Sequence, residues 1–77
     1  MYNNEIGIYN SQGMSYYRNK EYDSAASYFR IVLRKAQNEK DDYFIAMANY
    51  NLAFTYEKIG ENYSNLGRFN EASNYYR

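Results

Sequence analysis

The 77-residue chain has few side chains that could do chemistry. Asp41-Asp42 is its one adjacent pair of acids. General acid–base catalysis wants paired groups with separately tuned pKa values, and nothing near Asp41 or Asp42 sets up such a pair. Helix capping accounts for them more simply. Histidine and cysteine are absent, which removes imidazole chemistry, a thiolate nucleophile, a zinc finger and a disulfide framework. The four glycines stand alone, so no glycine-rich loop can cradle a phosphate. Twelve tyrosines invite base stacking or cofactor binding, and Arg30, Arg34 and Lys35 form a small basic cluster. Nine basic and nine acidic residues cancel, however, and non-specific nucleic-acid binding draws its affinity from phosphate neutralisation. These residues point away from an enzyme, and they predict no metal, no cofactor and no nucleic-acid partner.

The elements that position these residues follow from periodicity. Ile6, Tyr9, Gly13, Tyr16 and Tyr17 recur at helical spacing, as do Tyr22, Ala25, Phe29, Val32 and Leu33. Each set makes one apolar stripe. The polar break Arg18-Asn19-Lys20-Glu21 separates them, with Asn19 a candidate cap and Glu21 and Asp23 placing negative charge in the first turn of the second helix. A helical hairpin over residues 3–38 is expected. Glu39-Lys40-Asp41-Asp42 is the next break, where Asp41 or Asp42 can cap a third, long helix over about residues 42–66. Leu66-Gly67 reads as its end, with glycine in the left-handed position. Phe69 to Arg77 starts a short fourth helix. Residues 1–77 thus form a single all-α domain of three to four helices.

The chain also repeats itself. Tyr9, Gln12, Gly13, Tyr16, Tyr22, Ala25 and Phe29 share their spacing with Tyr56, Ile59, Gly60, Tyr63, Phe69, Ala72 and Tyr76. Both sets resemble the tetratricopeptide repeat, whose signature is aromatic-x-x-Leu-Gly-x-x-Tyr followed by Ala-x-x-x-Phe. That resemblance implies antiparallel helical hairpins stacked as a fragment of a right-handed α-solenoid. Small residues at Gly13 or Gly60 would let helices approach, and most tyrosines, Tyr56 and Tyr63 among them, would be packing anchors. Tyr17, Tyr28, Tyr50 and Tyr75 lie off those columns and would be exposed. Gln12 stands where the family prefers leucine. Gly60 follows Gly13 by 47 positions, against roughly 34 in a typical repeat. The heptad columns Ala46, Ala53, Gly60 and Ile45, Leu52, Ile59, Leu66 offer Ala53 as an alternative packing residue, giving an extended repeat of 40 positions.

The resemblance further implies a non-catalytic module that binds a protein or peptide in a groove lined by the first helix of each hairpin. Carried over by position, that groove holds Asn10, Met14, Tyr17 and Arg18. On the third helix the Ala53 register gives Met47, Tyr50, Phe54, Glu57 and Lys58. The register closing at Gly67 gives Phe54, Glu57, Glu61, Ser64 and Asn65. Asn10 and Met14 stand where carboxylate-gripping members carry lysine and asparagine, so that clamp is not expected. About three repeats are usually needed for independent stability, and fewer than two are complete here. The chain is therefore expected to be a fragment of a longer or designed array, or to associate as a homo-oligomer, with exchange of its terminal segment as one route. No apolar run reaches the ~18 residues of a membrane span, and residues 1–5 do not resemble a signal peptide. A cytoplasmic location is the simplest expectation.

Overall fold

The computed structural model describes the backbone of residues 4–75 and the side chains of residues 5–64. Three helices follow in order: α1 Asn4–Arg18, α2 Tyr22–Glu39 and α3 Asp42–Tyr75. The fold is all-α, and its packing is that of a helical bundle or partial solenoid. The central element is α2, which packs against α1 on one side and α3 on the other. Its buried residues Ala25, Ala26, Phe29, Val32 and Ala36 recur every three to four positions, which keeps them within a single sector of the helix.

Two joined clusters make the core. Ile6, Val32, Ala36, Phe44 and Ala48 form one; Ala25, Ala26, Phe29 and Leu52 form the other, and Leu33 touches both. On α3 the stripe runs Phe44, Ala48, Leu52, Thr55, with Ile59 half-buried beyond it. Thr55 is wholly buried, which its hydroxyl tolerates because it donates to the Asn51 carbonyl at 2.7 Å. Phe29 lies across Gly13: a Cβ added there would stand 2.6 Å from Phe29 Cε1. The missing side chain is what lets α1 and α2 close on each other.

Both interhelical turns share one construction. After α1, Lys20 donates to the Tyr17 carbonyl at 3.0 Å and Glu21 to Tyr16 at 2.9 Å. After α2, Lys40 donates to Gln37 at 3.2 Å and Asp41 to Ala36 at 2.9 Å. These are paired Schellman bonds, and the left-handed residue in each is lysine, with φ of 64° at Lys20 and 57° at Lys40. Asp41 caps α3, its carboxylate accepting from the Phe44 N–H at 3.2 Å. At α2 the expectation is corrected: Glu21, not Asn19, occupies the cap position, and no side chain bonds there. Asn19 still belongs to the end of α1, where its N–H donates to the Ser15 carbonyl at 3.1 Å.

The largest correction concerns α3. It passes through Gly60 and Gly67 without a break and continues to Tyr75, so the expected helix end at Gly67 and separate helix from residue 69 do not occur. A glycine costs a helix about 1 kcal/mol relative to alanine, too little to stop a cooperative helix with no proline after it. A consequence appears at the heptad columns. Ile45, Leu52 and Ile59 face the bundle, whereas Ala46, Ala53 and Gly60 are exposed. Among the described side chains of α3, Ala48 is the buried alanine.

Candidate partner-binding groove

The groove residues proposed by position sit on α1 and α3, and the structure brings five of them together. Met14, Tyr17, Arg18, Tyr50 and Phe54, with Phe29 and Asn51, line a cavity of about 210 Å³ between the two helices. α1 contributes them at steps of three and four (14, 17, 18), and α3 does the same (50, 51, 54), so each helix turns one side to the cavity. Met14, Tyr50 and Phe54 are exposed. The Tyr50 and Phe54 rings meet edge-on with centroids 4.7 Å apart, and Tyr17 is held in the same way by Tyr22 at 5.3 Å.

Asn10 and Met47 lie beneath this surface. Asn10 is 7% exposed, and its amide is fully engaged: Nδ2 contacts Met47 Sδ at 3.4 Å and Met14 Sδ at 3.7 Å, while Oδ1 accepts from Asn51 Nδ2 at 3.3 Å. Asn10 therefore braces the groove and does not offer a free amide to a ligand. Glu57 is exposed and is not part of the cavity wall. Of the alternative register, Glu61 and Ser64 are exposed, Lys58 pairs with Glu61 at 3.7 Å, and the side chain of Asn65 lies outside the described residues. The sequence pattern does not point to Phe29 or Asn51. The signal for Phe29 is Gly13, because a ring four residues after Ala25 fills the space a glycine leaves.

Charge is sparse in the groove: Arg18 is the single ionisable cation of the lining. The basic cluster dissolves into local pairs. Lys35 Nζ is 3.0 Å from Glu5 Oε1 and 5.7 Å from the Tyr9 ring centroid. The hydrogen bond that Lys35 donates to Glu5, then the Glu5 charge, raises the Lys35 pKa above the ordinary lysine value. Arg30 donates to the Tyr56 hydroxyl at 2.9 Å and to Ser27 Oγ at 3.3 Å.

The tyrosines divide differently from expectation. Tyr28 is half-buried, stacked on Tyr16 at 5.3 Å and tilted against Tyr9 at 6.1 Å. Tyr17 is half-buried too. Conversely Tyr56 and Tyr63, read as anchors, are 47% and 66% exposed: Tyr56 meets α2 through the Arg30 bond to its hydroxyl, and Tyr63 stands at the edge of an open cavity. The side chain of Tyr75 lies outside the described residues. A second cavity, about 400 Å³, opens between the start of α2 (Lys20 to Ser24) and Ile59, Asn62 and Tyr63 of α3.

Among the described residues no group of three or more acidic, histidine or cysteine side chains could hold a metal ion, and none of their helices is long and apolar enough to cross a membrane. The architecture is that of a three-helix module. Residues 55–77 match the family model of the tetratricopeptide repeat, the part of the chain that carries the second of its two matching sets. No curated protein and no solved structure matches the chain.

Proposed function

We propose that the chain is a protein- or peptide-binding module of tetratricopeptide type, with an extended repeat spacing, and that its ligand lies along the α1/α3 groove. The observation that carries this is the cavity walled by Met14, Tyr17, Tyr50 and Phe54. Flexible methionine beside aromatic rings accepts apolar side chains of varied shape. A volume of about 210 Å³ suits one bulky apolar anchor of a peptide. Arg18 at the rim favours an acidic residue next to that anchor. The extended spacing rests on the two sets of anchors, 47 positions apart at Gly13 and Gly60.

The test is a peptide array probed with the chain, followed by mapping of the best binder through NMR chemical-shift changes. Peptides with a bulky apolar residue flanked by acid should be enriched. Shifts should concentrate at Met14, Tyr17, Tyr50 and Phe54, and Phe54→Ala should weaken binding about tenfold or more. Shifts confined to other surfaces, or affinity unchanged in Phe54→Ala, would overturn the reading.

A further inference from the structure

The outer sides of α2 and α3 differ in kind. Every exposed residue of α2, from Asp23 to Glu39, is polar. On α3 residues 43–56 carry no charge at all, and their exposed side includes Tyr43, Ala46, Tyr50, Ala53 and Phe54. Positions 43, 46, 50 and 53 fall within a sector of about 80°, on the side of α3 opposite the core stripe of Phe44, Ala48 and Leu52. A surface helix is ordinarily polar there, and a helix apolar on both sides is one that is covered on both. The two tyrosines are held in place, Tyr43 against Phe44 at 5.1 Å and Tyr50 against Phe54 at 4.7 Å. They are 66% and 64% exposed, so the described residues leave the approach to this side open.

We propose that this side of α3 is covered by the same side of α3 from a second copy, the two helices running antiparallel and crossing near residue 48. The spacing 43, 46, 50, 53 is the three-and-four alternation of a coiled-coil seam. Antiparallel pairing sets Tyr43 against Ala53 of the second copy and Ala46 against its Tyr50, so each large side chain meets a small one. The pattern is its own complement, as a two-fold interface requires. The chain has a net charge of zero, so copies do not repel one another, and the bounding acids Asp42 and Glu57 stand outside the paired stretch. At about 200 Å² for an aromatic side chain, the exposed parts of Tyr43, Tyr50 and Phe54 amount to about 350 Å² per copy. Two copies bring about 700 Å² from these residues, and Ala46, Asn49 and Ala53 add to it on each side, against the roughly 1,200 Å² at which specific interfaces begin. The inference goes beyond the peptide groove: Tyr50 and Phe54 edge both surfaces, but Ala46 and Ala53 are not in the cavity wall.

Sedimentation of the chain should give a dimer of twice the 9.2 kDa chain mass. Ala46→Arg should raise its dissociation constant about tenfold or more, since it buries a charge without a partner. Circular dichroism should stay unchanged, because Ala46 is exposed in the single chain. The groove is read separately, through peptide-induced NMR shifts at Met14 and Tyr17, residues that Ala46→Arg leaves in place. The lack of cysteine allows a check of direction. In the Tyr43→Cys, Ala53→Cys double variant the two thiols lie about 15 Å apart along one helix, too far to join within a chain. Oxidation should therefore give a covalent dimer in which peptide mapping finds position 43 of one copy linked to position 53 of the other. A monomeric parent chain, a dimer indifferent to Ala46→Arg, or links between like positions in place of 43 with 53 would overturn the proposal.

Discussion

The Asn51 amide donates to the Asn10 carbonyl oxygen at 3.3 Å, joining α3 to α1 across the floor of the groove. These two residues stand 41 positions apart, and each is held on one side of its helix by that bond. A buried polar group costs little while paired and about 1–3 kcal/mol once its partner is gone. Asn10→Ala should therefore destabilise the chain by about 1–2 kcal/mol in urea unfolding. The Asn10→Leu, Asn51→Leu double variant should recover most of that loss, since removing both polar partners leaves nothing unpaired. A double-mutant cycle measures the coupling.

Gly13→Ala is expected to destabilise. Alanine is the better helix former by about 1 kcal/mol, but its Cβ would stand 2.6 and 2.8 Å from two atoms of the Phe29 ring. Phe29 is 1% exposed and packed against Ala25, Ala26 and Leu52, so its ring can shift only toward the groove cavity and at the expense of those contacts. Overpacking of this kind costs about 1–3 kcal/mol, and the balance falls on the side of loss. A lower midpoint in urea with an unchanged slope is the signature to look for.

Lys20 and Lys40 predict the reverse. Both hold a left-handed backbone, a conformation costing a residue with a Cβ about 1–2 kcal/mol relative to glycine. Each ammonium recovers part of this beside a helix C-terminus, typically 0.3–1 kcal/mol. Lys20→Gly and Lys40→Gly should each raise stability by about 0.5 kcal/mol or more, and the two should add, since the sites lie at opposite ends of α2. Thermal unfolding of both single variants and the double variant checks this.

The Glu5–Lys35 pair sets a pH and salt signature. The fold raises the Lys35 pKa, so the protonated form binds better in the folded chain. Its contribution is complete below the ordinary lysine value and is lost as pH rises through the higher folded value. Glu5→Gln should lower the melting temperature slightly at neutral pH and low salt. The difference should shrink in 1 M salt and vanish in strongly alkaline solution. A difference insensitive to both would mean that the pair is not its source.

Much of this architecture is legible in the residue pattern. The α1–α2 pair, a cap at Asp41 or Asp42 and the burial of Ala25 and Phe29 follow from spacing, and the Gly13 approach from the resemblance, because each is decided within two adjacent helices. Three features are not legible that way. The left-handed turn residues are lysines, so no glycine marks them and the first helix cap is misplaced at Asn19. The stop at Leu66-Gly67 is a local preference weaker than the cooperativity of a long helix. Tyr56 and Tyr63 have the offsets of buried anchors, but an anchor is buried only where a neighbour arrives to cover it. In the groove, Met14, Tyr17, Arg18, Tyr50 and Phe54 are found from positions along two helices. Phe29 enters it from a third, through the space that Gly13 leaves.

The unbroken α3 makes angular phase matter beyond the bundle. Its buried stripe from Phe44 to Ile59 is clamped against α2, and the helix then runs on to Tyr75. Whatever follows is oriented by how many residues intervene. One inserted residue between Ile59 and Tyr75 would swing everything downstream by about 100° around the axis. Seven would return it to within about 20° of its original bearing while carrying it about 10 Å farther out. Length in this stretch can therefore change in steps of seven with little effect on direction, and in any other step only by turning a different face outward.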